Sequence, residues 1–168
     1  MKQDKYDRVV EHILENQEKS YRIAYSYVHE KEAALDIVQN AVCSALEHYS
    51  ELKNEKFVRT WFYRILVNEA LQYLRKYKRE VSCEPSGIQE EIYVENAYEP
   101  GIELYRLVRE LPEQMRTVVI LHYFEQLTLK EISEVTGVNL NTVKSRLYAG
   151  LARLRKQIRQ ENGKEQVL

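Results

Sequence analysis

The segment from Thr128 to Arg155, TLKEISEVTGVNLNTVKSRLYAGLARLR, constrains the fold more tightly than any other stretch of the chain. Thr128 and Glu131 have the S/T-x-x-E spacing of a capping box, in which two side chains satisfy each other's orphan backbone N–H groups and open a helix. Leu129, Ile132 and Val135 then repeat three residues apart, which marks one buried stripe. Gly137 follows at once, and glycine ends a helix in the left-handed conformation without a Cβ penalty. Asn139 is placed to cap a second helix, whose Leu140, Val143, Leu147, Leu151 and Leu154 recur at helical spacing and predict its buried side. Two short helices joined by a glycine turn predict a helix-turn-helix.

The opposite face of the second helix carries Asn141, Thr142, Lys144, Ser145 and Tyr148, with Arg146 on its flank. These side chains donate to or accept from base edges and phosphates. Between Leu140 and Gln160 there are six Lys or Arg and no Asp or Glu. One-sided charge of this kind suits a helix that lies against a polyanion. A merely solvated basic face is the alternative. The capping box, the glycine turn and the uncharged polar groups among the cations favour DNA.

The net charge of the whole chain is −1, so the charge is segregated along the sequence rather than in excess. Five Gly and three Pro in 168 residues are few for a turn-rich β protein and favour an all-α fold. The N-terminus, MKQDKYDRVVEH, lacks the apolar core of a signal peptide, and the most apolar run, Val118 to Phe124, is too short to span a bilayer. Cys43 lies in an apolar helical pattern and Cys83 in a linker. That placement suggests free thiols in a reducing cytosol, and a cytoplasmic protein is expected.

Helical periodicity runs from Asp4 to about Val28, from about Glu32 to Tyr49, and from about Phe57 to Tyr77, with a polar loop at Ser50 to Lys56. The third helix ends in Arg75, Lys76, Lys78 and Arg79, cations that its dipole favours. From Val81 to Gly101 the periodicity stops, and the segment holds five Glu with no Lys or Arg. It reads as an acidic linker. A helix from about Ile102 to Glu110 follows, then one from Glu113 to about Glu125, with Pro112 in its first turn. The expected organisation is a domain at 1–80, a linker at 81–101 and a helix-turn-helix domain at 102–168.

Two segments together resemble the extracytoplasmic-function class of bacterial sigma factors. The first is ALDIVQNAVCSALEHY followed by FVRTWFYRILVNEALQYLRKYKR; the second is LPEQMRTVVILHYFEQLTLKEISEVTGVNLNTVKSRLYAGLARLR. They stand in the family's order, with a linker between. The resemblance implies a protein that binds core RNA polymerase, directs it to −35 and −10 promoter elements and assists promoter melting.

By that resemblance, Asp36, Ile37, Val38 and Gln39 would dock on the clamp helices of the largest polymerase subunit. Where the family usually has acidic residues beside that Asp and Gln, this chain has Leu35 and Asn40. The Ser50 to Lys56 loop would receive a flipped −10 base, with Asn68 and Arg75 close to the strand. Arg75, Lys76, Lys78 and Arg79 would pair with phosphates. Trp61, next to the apolar stripe, reads as core or as a stacking platform. Asn141, Thr142, Lys144, Ser145, Arg146 and Tyr148 would meet the −35 element, with Ala149 where many members have Arg. The family is commonly held inactive by an anti-sigma factor, often membrane-bound, so such a partner is expected.

Two other classes compete. A repressor or activator could use the same helix-turn-helix, but usually through a dimer, and the chain shows no long heptad pattern. An enzyme needs a constellation that is missing: His12, His29, His48 and His122 have no metal spacing, and there is no Gly-rich phosphate loop or nucleophile motif. No catalysis, cofactor, metal or small-molecule substrate is expected.

Overall fold

In the computed structural model, residues 2–82 and 102–165 are described, and the chain divides into two units, Met1–Val94 and Glu95–Leu168. Most of the expected linker, from Cys83 to Gly101, lies outside the described residues. All elements among the described residues are helical, and no described helix is long and apolar enough to cross a membrane.

The first unit contains α1 (Lys2–Glu15), α2 (Gln17–Val28), α3 (Lys31–Glu47) and α4 (Val58–Ser82). The single helix expected from Asp4 to Val28 is therefore two. Asn16 causes the break: its side-chain Nδ2 donates to the His12 carbonyl at 2.8 Å, offering the backbone an alternative to the helix ladder. His29 then ends α2 in the left-handed region at φ 54°, its N–H bonded to the Tyr25 carbonyl. Both carboxylate oxygens of Glu30 accept from the first turn of α3, at 2.8 Å from Glu32 N–H and 2.7 Å from Ala33 N–H. That cap satisfies two orphan donors with a charge the helix dipole favours.

Ala34, Ala41 and Ala45 line the inner side of α3 and are fully buried. Their small side chains let α3 lie close to its neighbours, and Ile23, Phe62, Leu66 and Val67 fill the space between α2, α3 and α4. Each such large side chain contributes roughly 1.5–3 kcal/mol by burial. Between α3 and α4 the polar loop forms two 3₁₀ turns, Tyr49–Glu51 and Glu55–Phe57, anchored by buried Leu52. The last of these helices runs five residues past its expected end at Tyr77, to Ser82.

The second unit contains α5 (Ile102–Arg109), α6 (Glu113–Val119), α7 (Leu129–Thr136) and α8 (Leu140–Glu165). Pro112 sits just outside α6, at φ −51° and ψ 141°. The helix expected to reach Glu125 changes pitch instead, and Ile120–Phe124 form a π turn closed by Glu125 N–H on the Ile120 carbonyl at 3.1 Å. The next loop is tied down by Leu127 N–H on the Leu121 carbonyl and by His122 Nδ1–H on the Leu127 carbonyl at 2.8 Å. Val118, Leu121, Leu127, Ile132, Val135 and Val143 form the core beneath it.

Candidate nucleic-acid interface

The turn between α7 and α8 is built from local chemistry that reads directly from the sequence. Thr128 N–H donates to Glu131 Oε2 at 2.8 Å, and Glu131 N–H donates to Thr128 Oγ1 at 3.2 Å, closing the capping box. Gly137 ends α7 at φ 72°, with its N–H on the Ser133 carbonyl. The Ser133 hydroxyl donates to the Val138 carbonyl across the turn. Asn139 Oδ1 accepts from Thr142 N–H at 2.9 Å and starts α8.

Packing fixes how α8 is rotated. Val143, Leu147 and Leu154 are buried, and Leu151 is half-buried. Leu140 departs from the expectation. It is 38% exposed, because at the first residue of the helix the stripe has not yet met its neighbour. Gly150 is the contact that periodicity in apolar residues could not reveal: a Cβ there would lie 3.1 Å from Val119 Cγ2 and 3.4 Å from Met115 Cβ. Here α8 crosses α6 at close range.

With that side packed, the other side faces outward. Asn141, Lys144, Ser145 and Tyr148 are exposed, while Thr142 and Arg146 are half-buried at its margins. Ser145 Oγ–H donates to the Asn141 carbonyl at 3.0 Å. Hydroxyl, amide, phenol and ammonium groups thus share one surface over two helical turns, the chemistry that reads base edges and binds phosphates.

In the first unit, the four residues expected on the docking surface separate by burial. Asp36 and Gln39 are exposed, Val38 is half-buried, and Ile37 is 1% exposed. Ile37 therefore packs in the core, since its place three residues after buried Ala34 and four before buried Ala41 puts it on the inner side of α3. The outward ridge of α3 separates two grooves. One, of about 850 Å³, is mainly apolar and is lined by Leu14, Leu35, Val38, Gln39, Val42 and Cys43 among others. The other, of about 440 Å³, lies against α4 and is lined by Asp36, Asn40, Glu69, Tyr73, Lys76 and Glu80 among others. Burial raises the Tyr73 phenol above its ordinary value, and the carboxylates of Glu30 and Asp36 add to that.

On α4, Asn68, Arg75, Lys76, Lys78 and Arg79 are all exposed. Offsets of seven and four residues bring Asn68, Arg75 and Arg79 onto one face, with Lys76 and Lys78 to either side. Lys76 also lines the groove that holds Asp36, so residues assigned to two different roles share one wall. Trp61 is half-buried. Two exposed aromatic residues were not singled out from the sequence: Phe57, 58% exposed where the loop meets α4, and Tyr77, 56% exposed near its end. Their signal was an aromatic side chain lying off the apolar stripe.

His12 is a buried titratable group of this unit. It is 5% exposed, with its ring edge-on to Phe62 and Tyr63 at centroid distances of 5.6 and 6.1 Å. Burial lowers its pKa to about 4, and the positive charges of Arg8, Arg59 and Lys19 reinforce the shift. Among the described residues, Nε2 of His12 has no hydrogen-bond partner. No group of three His, Cys, Asp or Glu among the described residues could hold a metal ion.

Comparison with known proteins gives a consistent picture. Residues 12–80 match the family model for Sigma-70 region 2, and residues 101–154 match that for Sigma-70 region 4. The chain is 37% identical over 150 residues to RNA polymerase sigma factor SigV of Bacillus subtilis (strain 168), covering 89% of this chain and 90% of that protein. It is 29% identical over 158 residues to the ECF RNA polymerase sigma factor SigW of the same organism, covering 84% of each. Among solved structures, the sigma factor RpoE in complex with the anti-sigma factor NepR, from Bartonella quintana, has a similar fold. The TM-score is 0.79 at 21% identity, over 89% of this chain and 95% of that one.

Proposed function

The chain belongs to the extracytoplasmic-function class of sigma-70 factors, alternative sigma factors that direct promoter-specific transcription, and from that premise we propose which of its surfaces does what. The start of α8 reads the −35 element through Asn141, Thr142, Lys144, Ser145, Arg146 and Tyr148. The outward face of α4, with Asn68, Arg75, Lys76, Lys78 and Arg79, meets the −10 element beside the Ser50 to Lys56 loop. The ridge of α3, with Asp36, Val38 and Gln39, docks on the clamp helices of the largest subunit of core RNA polymerase.

The observation that carries the DNA assignment is the outward face of α8. Lys144, Asn141, Ser145 and Tyr148 are exposed together on a helix whose opposite side is pinned by Gly150 against α6. Opening the duplex needs no catalytic group from this chain, and the polymerase supplies the chemistry. The protein acts in the cytoplasm, where its DNA and polymerase are. RpoE was solved with an anti-sigma factor, and CnrH, also similar in fold, with the cytosolic domain of CnrY. An anti-sigma factor, soluble or membrane-bound, is the third partner assigned to this chain.

Run-off transcription on pooled genomic fragments tests the reading, using core polymerase with and without the protein. Discrete transcripts that need both are expected, and their start points define the two promoter elements. Absence of new transcripts, with duplex DNA shifted by the protein alone, would move the assignment to a repressor or activator.

A further inference from the structure

The face of α8 that carries Asn141, Lys144, Ser145 and Tyr148 does not stop at Tyr148. At 100° per residue, Ala152, Arg155, Lys156 and Arg159 continue the same stripe. Arg155, Lys156 and Arg159 are exposed, and with Ala152 and Gln160 they enclose a shallow depression of about 430 Å³. The small side chain of Ala152 leaves its floor low between longer walls.

The cations on this stripe are left unpaired, while the other side of the same helix is neutralised. Arg106 of α5 pairs with Glu161, and Glu110 accepts from Gln157 Nε2 at 3.2 Å. Among the described residues, Arg155, Lys156 and Arg159 make no ion pair. Three like charges within little more than one turn cost stability by mutual repulsion, and a polyanion laid along them removes that cost.

Helix length decides which part of the anion they would meet. The reading positions Asn141 to Tyr148 span about 10 Å of rise, close to the roughly 12 Å width of the major groove. Arg155 and Arg159 lie about 10 and 16 Å beyond Tyr148 along the axis. A straight helix whose first turns sit in the groove has left it by then and crosses the bordering sugar-phosphate strand.

We propose that Arg155, Lys156 and Arg159 form a phosphate clamp that grips promoter DNA just outside the base-reading turns of α8. The proposal rests on the reading of α8 as the −35 helix. The clamp contributes affinity and register but no sequence preference, because every step along the backbone presents the same charge.

The test uses holoenzyme assembled from the full chain and core RNA polymerase, with promoter binding measured across a salt series. Each phosphate contact contributes about 0.9 to the slope of log affinity against log salt. The R155Q/K156Q/R159Q variant is expected to lower the magnitude of that slope by about 2–3, with the ranking of single-base −35 variants unchanged. The charge-conserving R155K/R159K variant is expected to keep the wild-type slope, which separates loss of charge from damage to the helix. An unchanged slope in the triple variant overturns the proposal. So does an unchanged slope accompanied by weaker core binding, which would assign the stripe to an acidic protein surface. Indifference of the wild-type holoenzyme to −35 substitutions would instead sink the reading of α8, while the slope difference still reports on the clamp.

Discussion

Gly150 and Val119 meet so closely that a Cβ on the glycine would lie 3.1 Å from Val119 Cγ2. Two effects oppose each other at this crossing. Alanine at a helix interior gains about 1 kcal/mol over glycine, whereas a forced contact in a packed core costs about 1–3 kcal/mol. Gly150→Ala is therefore expected to fall within about 1 kcal/mol of wild type. Gly150→Val has no way to fit and should lose about 1–3 kcal/mol. Denaturant unfolding of both variants checks this; a Gly150→Val protein as stable as wild type would show that the helices separate freely here.

Gly137 makes the opposite case. Nothing lies within 4 Å of the Cβ it lacks, but its φ is 72°, so the cost of a side chain is conformational alone. Gly137→Ala should destabilise the second unit by about 1–2 kcal/mol, and Gly137→Asn by less. Thr128→Ala, which opens the capping box, should cost about 1 kcal/mol. Thermal unfolding of the three variants ranks them, and equal stability of the alanine and asparagine forms would refute the conformational account.

His12 gives the first unit an acid limit. Its pKa is lowered in the folded state to about 4 from 6.5, so folding favours the neutral ring. The stability it contributes is present above about pH 6.5 and is lost as pH falls toward 4. At full protonation the loss reaches about 3 kcal/mol. Unfolding curves between pH 7 and 4 should show this decline, and His12→Gln should flatten it. An equally steep decline in the variant would assign the acid sensitivity to other groups.

Lys144→Ala with Arg146→Ala should reduce transcription from the cognate promoter by about 100-fold or more, since base and phosphate contacts of this type contribute about 1–3 kcal/mol each. Core binding should be unaffected. Asp36→Ala with Gln39→Ala should do the reverse, weakening core association in a pull-down. Both side chains are exposed, so stability should change by no more than about 0.5 kcal/mol. Loss of core binding in the first pair, or unaltered core binding in the second, contradicts the division of labour.

What the sequence disclosed and what it withheld differ by range. The capping box at Thr128, the glycine at 137 and the Asn139 cap depend on residues three or four positions apart, and all three form as their spacing requires. The outward face of α8 was legible because one helical period sorts it from its leucines. The break at Asn16 was hidden because asparagine interrupts a helix only when its side chain turns back on the backbone, as it does at His12. Burial of His12 depends on Phe62 and Tyr63, fifty residues away in sequence. Gly150 had the same difficulty: its reason is a methyl group on α6. Ile37 and Val38 were indistinguishable as apolar neighbours on one stripe, and only packing against α4 separates them.

The hydroxyl of Ser145 has a consequence for what the DNA must offer. Its proton is committed to the Asn141 carbonyl at 3.0 Å, so only oxygen lone pairs point outward. An oxygen in that state accepts and cannot donate. Of the groups on major-groove base edges, the exocyclic amino groups of cytosine and adenine have protons to give; the guanine O6 and N7 and the thymine O4 do not. In the proposed reading of α8, a base that Ser145 hydrogen-bonds directly while this bond is kept must be an amino-bearing one, adenine or cytosine, so a bond within the protein's own helix sets the direction of that contact.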